Sequence, residues 1–160
     1  MNNFDLLKFI LECSEVHKVS SNLKYNNKNY CFEFDGSETD NKLPKLSGVY
    51  FLLSHNDSRV QKIGKAEGNQ GLYQRFQNYT SKKNKGKLDR TSELWLKVMT
   101  DPNKLKGESL SVFYYITKPY NIKLPNISCF KLEAFWARSL EKHLSQIAKN
   151  HHDMFLSGQN

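Results

Sequence analysis

This sequence has no apolar run near the roughly 20 residues that a bilayer-spanning helix needs, so nothing in it reads as a membrane span. It has 3 cysteines, Cys13, Cys31 and Cys129, odd in number and widely spaced. That set matches neither a disulfide framework nor a zinc-ligand pattern, and it reads as buried free thiols in a reducing cytoplasm. No Gly-x-Gly-x-x-Gly and no Walker A loop is present, which removes the usual phosphate cradles of nucleotide-cofactor enzymes. The first residues carry Asp5 and Glu12 and no cationic start, so they are not expected to act as a secretory signal. Acid is also short. The 16 Asp and Glu stand against 24 Lys and Arg, leaving a formal charge of +8.

What is present suits a folded chain. With 160 residues, 38% hydrophobic and 12% aromatic, the sequence fits one compact domain with a moderate core and not a disordered segment. The basic excess attracts polyanions, nucleic acid before an anionic membrane.

Apolar spacing predicts a helix within residues 3–18 and a hairpin over 23–34, turning at Asn26-Asn27-Lys28-Asn29. Residues 35–46 are polar and contain Pro44, a linker or loop. Residues 1–46 are therefore expected to form an accessory layer on a core spanning 47–160. The core opens with a short apolar strand, GVYFLLS at 48–54, a turn, and an alternating strand at 59–64 with Val60 and Lys62 on one face. A helix at 69–79 follows, then a basic run at 81–90, which is either a solvated loop or a phosphate-binding one. Residues 91–100 look helical, 109–117 form a third strand, and Ser128 caps a long helix over 129–150. The expected fold is α+β: a small, three-stranded, mostly antiparallel sheet flanked by helices, with an N-terminal helix and β-hairpin.

That order brings Tyr50, Lys62, Arg75 and Tyr79 towards one surface. One potential base, two cations and a second phenol suit chemistry on a phosphate. A phenol near pKa 10 needs nearby cations or a bound metal to act as a base, and Lys62 and Arg75 are placed to supply the charge. Arg75 and Tyr79 are four apart on one helix face. Each residue also has a plain structural reading: Tyr50 as a core aromatic, Lys62 as a surface lysine on an edge strand, Arg75 in a surface ion pair, Tyr79 in helix–sheet packing. Glu133 and Glu141 on the last helix are the acidic candidates near its buried stripe, and either also reads as a solvated acid. His55, His143 and the His151-His152 pair have no pattern that points to a site.

The tripeptides Gly48-Val49-Tyr50 and Lys62-Ile63-Gly64, separated by residues 51–61, resemble the signature of GIY-YIG nucleases. Arg75, Tyr79, the third strand and an acidic helix follow in that family's order, so the resemblance covers about residues 47–145. The second tripeptide usually begins with Tyr, and Lys62 stands there in this chain. Small type II restriction endonucleases of this class look similar, with a Lys at that place and the same Arg-x-x-x-Tyr after it.

The resemblance implies a DNA endonuclease that cuts double-stranded DNA with a Tyr-assisted water. It implies Tyr50, Lys62, Arg75, Tyr79 and Glu141 as the catalytic set, with Glu141 (alternatively Glu133) holding Mg²⁺ or Mn²⁺ through hard oxygen ligands. DNA contacts are expected from Lys65, Lys82, Lys83, Lys85, Lys87 and Arg90. A cytoplasmic homodimer cutting a short palindrome, with no membrane partner, is the expected assembly. The competing readings are a nucleic-acid-binding module that keeps the fold without cleavage, a repair or mobile-element nuclease, and a structural domain with a basic face.

Overall fold

The run GVYFLLS is apolar from end to end because both of its faces are covered. In a computed structural model, which describes residues 3–26, 31–36, 43–54, 59–81, 109–117, 121–124, 127–131 and 133–149, every residue of this strand is buried. The elements in chain order are α1 (Asn3–Glu12), β1 (Val16–Lys18), β2 (Leu23–Asn26), β3 (Cys31–Phe34), β4 (Gly48–Ser54) and β5 (Val60–Ala66). They continue with α2 (Gly71–Thr80), β6 (Leu110–Ile116), β7 (Asn121–Leu124), β8 (Ile127–Lys131) and α3 (Glu133–Lys149).

β4 lies between β5 and β6, antiparallel to both. Its pleat sends Tyr50 and Leu52 to one face and Val49, Phe51 and Leu53 to the other. Leu6 and Ile10 of α1 and Leu144 of α3 cover the second face. Leu72, Phe76 and Tyr79 of α2 cover the first, together with Phe32 of β3.

The fold is α+β as expected, but the sheet is larger than three strands. It has six, in the order β3-β2-β6-β4-β5 with β1 also paired to β6. The β2–β3 hairpin forms at the expected place, with Leu23 opposite Phe34, and then docks on β6 through Leu23 and Leu110. β1 joins β6 through His17 and Tyr114. Local pattern marks the hairpin but carries no sign of a partner so far along the chain, and this is why the sheet reads too small from sequence.

Two further differences have local causes. The last helix starts at Glu133 and not at 129, because Ile127–Lys131 pairs with Asn121–Leu124 as a two-stranded ribbon. Its Ile, Cys and Phe suit a strand as well as a helical stripe, and pairing decides between them. In β5 the register slips at Gln61, so Leu52 faces Lys62 while Leu53 faces Val60. This bulge puts Val60 on the α3 side with Ile63, and Lys62 on the α2 side with Tyr50 and Leu52, so the expected sharing of one face by Val60 and Lys62 does not occur. The expected helix at 91–100 falls outside the described residues.

Candidate active site

The roll of α2 is set where the helix begins. Its Leu72 and Tyr73 N–H groups donate to the carbonyls of Leu46 and Pro44, each at 3.0 Å, and no side chain caps it. Gly71 has φ +39°, and a Cβ there would run into the Leu46 carbonyl. With its start pinned this way, α2 turns Leu72, Phe76 and Tyr79 inward, holds Arg75 at the margin, and leaves Gln74 and Asn78 exposed.

Tyr50 lies beneath that margin. It is 0% exposed. Its ring stands edge-on to Phe76 and Tyr79, with centroids 5.2 and 6.1 Å away. Across the sheet it faces Gly64, and its ring lies over that glycine. A Cβ at Gly64 would overlap the Tyr50 ring and hydroxyl. A strand interior tolerates glycine poorly unless something must approach closely, and here the phenol is that approach.

The hydroxyl of Tyr50 shares a 2.6 Å hydrogen bond with the Tyr79 hydroxyl and accepts one from Arg75 Nε at 3.3 Å. The Arg75 guanidinium also sits 5.5 Å from the centre of the Tyr79 ring. Burial raises the pKa of Tyr50 above 10.0, although Arg75 and the Tyr79 hydrogen bond pull it down. Tyr79 is raised well above 10.0, again chiefly by burial. Desolvation outweighs Arg75 here, so both phenols hold their protons more tightly than an ordinary tyrosine.

Lys62 is 2% exposed, not a surface lysine: it lies opposite Leu52 on the face of the sheet that α2 covers. Glu141 on α3 is half-buried. Burial lifts its carboxyl above 4.5, while Lys65, Lys62 and Arg75, in that order, pull it back and Glu67 pushes it further up. A cleft of about 470 Å³ opens beside the end of β5, where α2 and α3 approach from opposite faces of the sheet. It is lined by Lys65, Glu67, Gln74, Arg75, Asn78 and Glu141.

The structure therefore gathers Tyr50, Arg75 and Tyr79 into one hydrogen-bonded group, with Glu141 across the cleft and Lys62 near enough to act on its charge. Lys65 lines the same cleft and pairs with Glu67 at 3.1 Å. The side chain of Glu133 lies outside the described residues, as do Lys82, Lys83, Lys85, Lys87 and Arg90. Three cleft residues escape a reading of the sequence. Glu67 also pairs with Arg138 at 3.5 Å, and its Oε1 is buried with no hydrogen-bond partner among the described residues. Gln74 and Asn78 are hydrogen-bonded to each other at 3.1 Å. Helical spacing around Arg75 was the available signal for this last pair.

No protein-family model and no curated protein sequence matches the chain. Among solved structures it is similar to "Restriction endonuclease HPY188I in complex with product DNA", with a TM-score of 0.52 and 16% identity, covering 95% of this chain and 82% of that one. The fold resembles that of a restriction endonuclease. At this identity the likeness is one of fold, and the chemistry has to be argued from the cleft.

A divalent cation fits the donor chemistry. The Glu141 carboxylate is held in a cleft where burial makes its charge costly, and a cation beside it relieves that cost. Glu67, whose Oε1 is buried without a hydrogen-bond partner among the described residues, is a second carboxylate lining the same cleft. Among the described residues no group of three or more His, Cys, Asp or Glu forms a self-sufficient cage, so the remaining ligands would be water and substrate oxygens.

Proposed function

We propose that the chain is a divalent-metal-dependent DNA endonuclease of GIY-YIG type, acting as a small type II restriction enzyme does. The observation that carries this reading is Arg75, hydrogen-bonded to Tyr50 and through it to Tyr79, facing Glu141 across one cleft. The restriction-endonuclease fold and the charge of +8 support it.

Arg75 clamps the scissile phosphate and neutralises the charge that grows on it. Its orientation comes from the Nε–H bond to Tyr50. Tyr50 accepts from Arg75 and so holds the guanidinium at the cleft margin, its own hydroxyl lying beneath the cleft wall. Tyr79 holds that hydroxyl in place. Lys62 supplies fixed positive charge beside the phosphate, on the Tyr50 side of the sheet. Glu141 would hold Mg²⁺ or Mn²⁺, which when bound neutralises charge on the phosphoryl and leaving oxygens. Two copies acting on opposite strands would cut a palindrome.

Plasmid DNA incubated with the protein and Mg²⁺, with and without EDTA, tests this reading. Cleavage that EDTA stops is expected. DNA binding without cleavage at any metal concentration sinks the enzyme reading and leaves a binding module. Glu141→Gln is expected to abolish the metal-dependent cut while duplex binding is kept or tightened, since a negative charge leaves the cleft. Full activity in that variant would move the cation to Glu133 or elsewhere.

In metal-free protein, duplex binding should weaken as pH rises through a value above the ordinary carboxyl value of 4.5, because burial makes Glu141 hold its proton more tightly and its charge then repels phosphate. The linkage to stability has the same origin. An unfolded Glu141 releases its proton first, so this group makes no demand on stability below 4.5 and costs stability as pH rises through its higher folded pKa. Metal-free duplex binding that is the same in wild type and Glu141→Gln across that pH range would show that Glu141 is not felt.

A further inference from the structure

The amide pair Gln74 and Asn78 has no part in the hydrolysis described above, yet it forms part of the same cleft wall as Arg75. We propose that this pair reads the major-groove edge of an adenine next to the scissile phosphate, making it a specificity determinant. The inference rests on the nuclease reading and adds to it.

The two side chains sit one turn apart on the exposed side of α2, flanking Arg75 in sequence. They are neutral amides, each carrying both a donor and an acceptor, the combination that matches an adenine edge. Their mutual bond runs from Gln74 Nε2–H to Asn78 Oδ1 at 3.1 Å. It uses one of the two donors on Gln74 Nε2 and one of the two lone pairs on Asn78 Oδ1. What the pair then presents is an acceptor, Gln74 Oε1, beside a donor, Asn78 Nδ2.

In the major groove only adenine shows a donor and an acceptor together on one base, at N6–H₂ and N7. Guanine shows two acceptors, cytosine a donor, and thymine an acceptor with a methyl group. The complement is direct: N6–H donates to Gln74 Oε1, and Asn78 Nδ2–H donates to N7.

The mutual bond has a second effect. Exposed glutamine and asparagine side chains otherwise lose rotamer freedom on binding. Here each already orders the other across a helical turn. Arg75, anchored on Tyr50, holds the phosphate, so the adjacent base is presented at a set distance from the pair.

The test is selection of binders from a duplex DNA pool of randomised sequence, in EDTA so that nothing is cut. Wild type, Gln74→Ala, Asn78→Ala and Arg75→Ala are compared, followed by affinity against salt on the recovered sequences. Wild type is expected to recover a consensus containing adenine. Each amide variant should lose preference at that one position, with affinity for the consensus falling about 5- to 150-fold, the range of a good bidentate base contact. The slope of log affinity against log salt should stay at the wild-type value in the amide variants, because no cation is removed, and become shallower in Arg75→Ala. Amide variants that recover the wild-type consensus overturn the proposal, as does a loss that is uniform over all sequences or a consensus fixed at another base. A wild type that binds DNA without any consensus overturns it while leaving a non-specific nuclease standing. A wild type with no salt-dependent duplex binding removes the nuclease reading itself.

Discussion

Arg75→Ala is expected to lower DNA cleavage by about 10²–10³-fold, the usual cost of removing one charge-stabilising donor from a phosphoryl or acyl transition state. The variant should still fold. Arg75 is at the cleft margin, and Tyr50 keeps its bond to Tyr79 when the guanidinium goes. The lost hydrogen bond costs about 1 kcal/mol, readable as a small fall in melting temperature. Arg75→Lys should recover little, because a lysine ammonium cannot hold the Tyr50 hydroxyl and grip two phosphate oxygens in one planar fork. Single-turnover cleavage at saturating protein separates this loss from weaker binding. A wild-type rate in Arg75→Ala would remove Arg75 from the chemistry and with it the mechanism proposed here.

Gly64→Ala is expected to damage activity out of proportion to the single carbon added. The new Cβ overlaps the Tyr50 ring and hydroxyl. The ring cannot step aside, because Phe76 and Tyr79 stand edge-on against it in a filled core. Overpacking of this kind costs about 1–3 kcal/mol, seen as a lower midpoint in urea. The hydroxyl also leaves its place between Arg75 and Tyr79, and displacement of a catalytic group by about 1 Å lowers rates on the order of 10²-fold. Combining Gly64→Ala with Tyr50→Phe removes one of the overlapping atoms, so part of the stability should return while cleavage does not. If Gly64→Ala is as stable and active as wild type, the close approach of Tyr50 to the neighbouring strand is not what the glycine serves.

The sequence shows some of this plainly. The four-residue spacing of Arg75 and Tyr79 places both on one side of α2, and the β2–β3 pair lies where two strand-like runs flank an asparagine-rich stretch of sequence. Other features depend on contacts that no local pattern reports. Leu23 meets Leu110 far along the chain, so the sheet doubles in strand count without a local sign. The bulge at Gln61 reverses which side of the sheet Val60 occupies, and alternation alone gives the wrong face. The protonation of Tyr50 turns on burial, which the residue types around it do not reveal: the same cations that argue for a low pKa are present, and the core outweighs them. Glu67, Gln74 and Asn78 become visible only once α2 and α3 are brought against the end of β5.

The pairing of β4 with β6 bears on how the molecule assembles. Its most apolar strand is made early in synthesis, but the neighbour that covers one whole edge is made more than fifty residues later by the numbering of the two strands. Until then β4 has β5 on one side only, and an unpaired apolar strand edge is a place where chains aggregate. Non-local pairing of this kind is slow to form, since the intervening loop must close before its contacts contribute. Glu141 arrives later still, on the last described helix. The acid and the arginine therefore meet only after the whole segment between α2 and α3 has been made, so a growing chain carries Arg75 without Glu141 for that interval.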